Sequence, residues 1–400
     1  MAIVGCLFVI QATARYGFSQ VLITYSLTAG NLTAANKAIQ VTPKDAEAHL
    51  AGAALLTVFG TPEQATLELE RAVALRPADY LPWMQLGLLR DQVGDTAGSL
   101  KAFDESIRRA PFYSLPRWNR GNVLLRSGQY EAAFNDMCEA AQSNPELIPN
   151  LVDLAWGISR GDVKLTEQLA QINNEKLHLA FARLLARHGK AQEALAQFGN
   201  AGNVPEAIKT ELVEQLLAKG AFKEAFRVET GKETAGPAIY DGGFEAPLAL
   251  GGNGFGWRVP RTLQAISISL DSSQPHSGSK DLRIEFGGDS NPGAALVSQV
   301  ILVEPLKRYK INFAGRSQDV VTGGLPLVIA TDASGDIKPL GQSPPLAKGT
   351  SDWQLYSFEL TTTAQTGAVL LSLRRENCTT SPCPIFGSIS LDSFSVEQLN

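Results

Sequence analysis

The chain has 400 residues, of which 44% are hydrophobic and 19% charged, and its formal net charge is −5. That length exceeds one ordinary domain, and the composition is that of a folded protein rather than a disordered one. Lysine and arginine are scattered, which leaves no basic footprint for nucleic acid and no polybasic patch for a membrane surface.

The start of the chain reads as an address. Ala2 to Ala14 (AIVGCLFVIQATA) is apolar, has no charged residue, and ends in the small-x-small pattern Ala12-Thr13-Ala14. An export signal has an apolar core of this length and such a cleavage site, although the usual basic residues before the core are missing. The run is also shorter than the ~20 residues that span a bilayer. Three readings stay open for residues 1–14: a cleaved signal, part of an uncleaved anchor, or a buried first helix. The first two imply an exported, periplasmic or envelope-associated protein whose only membrane contact is this segment.

Repeats then decide the architecture. Pro43, Pro77, Pro111 and Pro145 stand 34 residues apart, and so do Gly60, Gly94 and Gly128. Small residues keep the same interval at Ala53, Gly87 and Gly121, and at Ala65, Ser99 and Ala133. The clearest copy, Tyr80 to Tyr113, has Trp83, Leu86, Gly87, Ser99, Phe103 and Pro111 in the slots of the tetratricopeptide signature, and it resembles that family. The resemblance implies helical hairpins: small residues let two helices approach, Gly94 permits the turn, and Pro111 ends the second helix. The next copy departs from the pattern, with Arg117 and Arg120 where Trp and Leu are expected and Trp118 one position along. Helical patterning continues, more worn, to about residue 230. We therefore expect a solenoid of six or seven helix pairs over 15–230, degenerate at both ends. Its concave face is expected to bind another protein.

A polar linker, 231–238, precedes a change of period. From Ile239 onward apolar and polar residues alternate between Gly, Pro, Asn, Asp and Ser turns. The pattern predicts about eight strands: Ala265–Leu270, Asp281–Phe286, Ala295–Val303, Tyr309–Ser317, Leu325–Thr331, Trp353–Leu360, Ala368–Arg374 and Ser388–Val396. Regular strands without helices between them argue a β-sandwich over 239–400. The fold class expected is thus all-α solenoid followed by all-β sandwich.

Four cysteines are present. Cys6 lies in the apolar start and Cys138 on a repeat helix, where it reads as core. Cys378 and Cys383 sit in a turn-rich stretch without the two further soft ligands a metal would need, which predicts a short-loop disulfide and an oxidising compartment.

Tyr240-Asp-Gly-Gly-Phe-Glu245, Gly256-Trp257, His276-Ser-Gly-Ser-Lys-Asp-Leu-Arg-Ile284, Trp353-Gln-Leu-Tyr356 and the closing Ile389-Ser-Leu-Asp392 follow in an order that resembles jelly-roll carbohydrate-binding modules of the cellulose and xylan type. The resemblance implies a structural calcium held by Glu245 and Asp392 with carbonyls near Ser279 and Lys280, or else two carboxylates that simply cap turns. It also implies polysaccharide binding on one sheet face. Gln299, Arg316, Asp332 and Arg375 are the candidate polar contacts, and Trp257 and Trp353 the candidate stacking rings, each of which packs equally well into a core. Alternation puts Tyr309, Ile311 and Phe313 on one face of their strand and Lys310, Asn312 and Arg316 on the other.

No catalytic constellation emerges. The four histidines share no metal-ligand spacing, and no nucleophile elbow or phosphate loop occurs. Gly251–Gly256 lacks the strand and helix that a dinucleotide loop needs. The expectation is a non-catalytic envelope scaffold with no required cofactor, binding a protein through the solenoid and polysaccharide through the sandwich, as in exopolysaccharide assembly or export. The alternatives are a pure protein–protein adaptor with a structural sandwich, and an accessory part of a glycoside-active enzyme.

Overall fold

The computed structural model describes residues 2–399 apart from 234–235, 252–253, 262, 336–337 and 379–381. Parts of the linker, of the Gly251–Gly256 turn and of the Cys378–Cys383 loop therefore lie outside the described residues. The chain gathers into two compact units, Met1–Ala180 and Phe181–Asn400.

The first unit is helical. Its hairpins are α1 (Ala2–Ala29) with α2 (Leu32–Val41), α3 (Ala46–Phe59) with α4 (Pro62–Leu75), α5 (Tyr80–Gln92) with α6 (Thr96–Arg109), and α7 (Ser114–Arg126) with α8 (Tyr130–Ser143). A 3₁₀ turn at Pro145–Leu147 leads into α9 (Ile148–Ile158) and α10 (Val163–Leu169). The 34-residue beat acts as expected. A Cβ on Gly87 would sit 3.0 Å from the Phe103 ring, and one on Gly121 would sit 2.8 Å from Met137 and 3.0 Å from the Ala133 carbonyl. Ser99 donates its hydroxyl to the Gly87 carbonyl at 2.8 Å, pinning the same close approach. Gly94 and Gly128 adopt the left-handed φ of +82° and +76° that ends the first helix of each hairpin. Asn31, Asp45, Thr61, Asp79 and Asp95 each cap a helix start through a side-chain oxygen.

Helix α1 runs unbroken through Ala12-Thr13-Ala14. Over residues 10–29, Ser19, Ile23 and Ser26 are buried. Ser19 hydrogen-bonds Thr42 at 2.6 Å, and Gln20 donates to Asp45 at 3.2 Å.

Helix α11 (Glu175–Arg187) crosses the boundary between the units, and α12 (Ala191–Gly199), α13 (Glu206–Ala218) and α14 (Phe222–Thr230) belong to the second. In that unit the strands are β1 (Ala249–Leu250), β2 (Arg258–Val259), β3 (Ile266–Asp271), β4 (Asp281–Asp289), β5 (Val297–Leu302), β6 (Arg308–Thr322), β7 (Pro326–Asp332), β8 (Pro339–Gln342), β9 (Gly349–Thr361), β10 (Ala368–Arg375) and β11 (Pro384–Leu399). They form two sheets, ordered β1-β2-β5-β10-β7-β8 and β3-β4-β11-β6-β9. Pairing is antiparallel except between β1 and β2. Each of the eight expected strands is present, joined by the short β1, β2 and β8. Leu282, Ile284, Tyr309, Ile311, Phe313 and Leu371 fill the space between the sheets. An aromatic stack closes one end: Phe313 lies 4.9 Å from Phe394, and Trp257 lies 5.0 Å from Phe394 and 4.9 Å from Phe244.

The last helix docks on the sandwich although a polar stretch separates them in sequence. Phe226 meets Phe255 edge-on at 5.2 Å, and the Glu229 carboxylate accepts the Phe255 N–H at 3.2 Å. Burial there pushes the Glu229 carboxyl up, against the Phe255 N–H.

Candidate functional site

The six residues expected to contact polysaccharide do not come together. Trp257 is core, 6% exposed, and donates its indole N–H to the Asp241 carbonyl at 2.9 Å. Gln299 is fully buried and clamps one backbone position: it accepts the Tyr240 N–H at 3.1 Å and donates to the Tyr240 carbonyl at 2.8 Å. Asp332 accepts from the Ser334 N–H at 2.9 Å and from the Thr366 hydroxyl, which orders a turn. Arg375, 3% exposed, donates to Ser290, Thr322 and the Cys383 carbonyl at 2.8 to 3.0 Å. These four are engaged in internal contacts of the fold.

Arg316 and Trp353 do meet, on the outer face of the five-stranded sheet. The guanidinium carbon lies 5.1 Å above the indole ring, and the His276 ring meets the indole edge at 5.6 Å. Gln274 ties both down: its side-chain oxygen accepts from Arg316 at 2.7 Å and its carbonyl from the Trp353 indole at 3.1 Å. Ser267 and Ser269 of β3, Arg283 and Glu285 of β4, and Ser388 and Ser390 of β11 are in register on the same face. Asp281 lies on this face too, fully buried, with Arg316 3.5 Å away. Burial pushes its carboxyl up to about 6, outweighing the Arg316 charge. Sequence reading missed Gln274, His276 and Asp281 in this cluster. The first two lie in a turn, whose contacts no periodicity announces.

Glu245 and Asp392 both flank Gly243. Glu245 accepts the Ser279 N–H at 2.7 Å and the Ser279 hydroxyl, and these hold its carboxyl below the usual range. Asp392 is fully buried and accepts the Ser277 N–H at 2.8 Å. The groups aimed at both carboxylates are therefore donors, where calcium needs six to eight oxygens. Among the described residues no cluster of three metal-ligating side chains occurs. The Cys378–Cys383 disulfide is formed. Cys138 is buried and unpaired, with its thiol pushed up to about 11 by burial.

In the helical unit, a groove of about 260 Å³ opens between α3 and α5, lined among others by Ala54, Thr57, Val58, Gln85, Leu88 and Gln92. Val58 and Leu88 are 70% and 43% exposed, and Leu81 and Leu115 extend the apolar surface along α5 and α7.

No family model matches the chain. A stretch of 103 residues is 37% identical to Protein FlbA of Caulobacter vibrioides, covering 26% of this chain and 17% of FlbA. The chain thus spans less than a fifth of that relative. Among solved structures, MamA is similar with a TM-score of 0.31 at 17% identity, over 44% of this chain and 90% of that one. PilF of Pseudomonas aeruginosa gives 0.33 at 16%, over 56% and 95%. MamA 41-end from Desulfovibrio magneticus RS-1 gives 0.34 at 15%, over 39% and 92%. The helical part of the chain is an array of helical hairpins on a 34-residue repeat.

Proposed function

We propose that this protein is a non-catalytic scaffold of the cell envelope. The groove between α3 and α5 receives a segment of a partner protein, and the exposed Val58 and Leu88 carry this reading. Unpartnered apolar side chains on adjacent first helices of a repeat array suit an apolar peptide face. Photocrosslinking from position 88 in the full chain tests it. A Leu88→Asp variant that keeps its partner profile overturns it.

The sandwich, in this reading, binds polysaccharide on the outer face around Arg316 and Trp353, in exopolysaccharide assembly or export. The polar rows of β3, β4 and β11 support it. Binding of the full chain to a glycan array, lost in Arg316→Ala, is the expected result. The adaptor alternative, with a structural sandwich, gains weight from the arginine that already covers the Trp353 ring and from the four candidates consumed internally. Absence of glycan binding with intact partner capture decides for it.

A further inference from the structure

Helix α1 presents an apolar surface that the solenoid does not use. Between Ala2 and Asn36 the sequence contains one charged residue, Arg15, against a chain average of 19%. Every residue from Ile10 to Phe18 is exposed, across more than two turns, so no side of the helix is covered there. Further along, the surface narrows to a stripe. At 3.6 residues per turn Ile10, Phe18, Val21 and Tyr25 fall within about a quarter of the circumference, opposite the buried Ser19, Ile23 and Ser26. They are 64%, 53%, 65% and 53% exposed.

We infer that this stripe rests in the interfacial layer of a lipid bilayer, with the uncharged turns before it entering the apolar core. A second protein chain would need only one face of the helix. A helix with a single charge in its 28 residues and no side covered over Ile10–Phe18 instead suits a lipid interface. Tyr16, Phe18 and Tyr25 are ring types that settle at headgroup level, and Arg15 reaches outward along its apolar stem. No helix among the described residues is long and apolar enough to cross a membrane. The contact extends past residue 14 into the first repeat. This inference shares with the proposed function only the envelope location and needs neither the partner nor the glycan.

The test uses the full chain with Cys6→Ser, carrying Val21→Cys or Asn36→Cys labelled with an environment-sensitive dye. Vesicles of phosphatidylcholine and phosphatidylglycerol, with and without brominated acyl chains, are the probe. The label at 21 is expected to shift to the blue and to be quenched by the brominated lipid, while the label on exposed Asn36 stays water-like. Phe18→Ser/Val21→Ser/Tyr25→Ser should lower vesicle partitioning roughly tenfold or more with an unchanged far-ultraviolet circular dichroism spectrum. Quenching of a label at Ile10→Cys but not at 21 would leave an N-terminal anchor and overturn the stripe. A blue shift at 21 that grows with protein concentration without vesicles assigns the face to a second copy instead. No vesicle binding at all overturns the inference and leaves the groove and glycan readings untouched.

Discussion

Arg120 and Asp136 meet through two 2.6 Å hydrogen bonds in the slot where the tetratricopeptide pattern has leucine. Asp136 is buried, and Arg120 reaches a second carboxylate on Asp104. The neighbouring departure is handled alike, with Arg117 paired to Glu139 at 2.7 Å. An apolar knob has become an ion pair in the seam between helices.

Removing Asp136 leaves Arg120 only its more exposed partner, Asp104. Asp136→Ala is expected to cost about 1.5–3 kcal/mol, the loss of a bidentate charge-assisted contact. Arg120→Leu/Asp136→Leu should recover most of the loss or exceed the parent. Urea midpoints of the parent and these two variants check this. Glu139→Ala, at a pair whose acid is half exposed, should cost under about 1 kcal/mol.

Two glycines separate close packing from turn geometry. Gly121→Ala puts a methyl 3.0 Å from the Ala133 carbonyl, which cannot rotate away, and should cost about 1–3 kcal/mol despite better helix propensity. Gly94→Ala meets no atom within 4 Å, so its cost is only that of a left-handed φ, about 1 kcal/mol. Equal losses in thermal melts would refute the distinction.

Asp281 should make the sandwich less stable as pH rises. Its folded carboxyl lies near 6 and its unfolded one near 3.8, so the native state binds the extra proton between those values. The penalty is absent below about pH 4, grows through that window and is complete above 6, amounting to roughly 3 kcal/mol or less. The stability difference between Asp281→Asn and parent should therefore increase from pH 4 to pH 7. A flat difference would rule the effect out.

The Phe226–Phe255 and Glu229–Phe255 contacts predict that the module boundary lies before α12 rather than at the polar stretch. A fragment of residues 181–400 should melt in one cooperative step at a higher temperature than one of 239–400. Equal midpoints would show that the helices add nothing to the sandwich.

Because Glu245 and Asp392 already face N–H and O–H donors, chelation should leave the melting temperature unchanged. A calorimetric scan with millimolar calcium against one with EDTA is the check. Any upward shift that saturates with calcium would mean the 277–280 turn rearranges to offer oxygens.

Much of this fold is written in spacings. The proline and glycine beat locates the hairpins, and two-residue alternation locates eight strands, because both periods follow directly from backbone geometry. The candidate site was less legible. Gln299 shares the parity of Val297 and Ile301, Asp332 that of Val328 and Ala330, and Arg375 that of Leu371 and Leu373. Period two alone thus places all three toward the core, and only their polarity made them look like ligand contacts. Arg316 keeps the outward parity of Lys310 and Asn312. Trp353 lies beyond register shifts between β6 and β9, where counting by twos no longer carries across. The reach of α1 past Ala14 has no marker in the sequence, since nothing there breaks a helix.

The Gln299 clamp has a consequence for how this segment tolerates change. Its amide reads only the main chain of residue 240, while the Tyr240 ring points out to solvent at 64% exposure. The identity of residue 240 is thus decoupled from the anchoring of its backbone. Substitutions at 240 should drift freely, proline excepted because it lacks the N–H, whereas a change at 299 would release the strap whatever stands opposite.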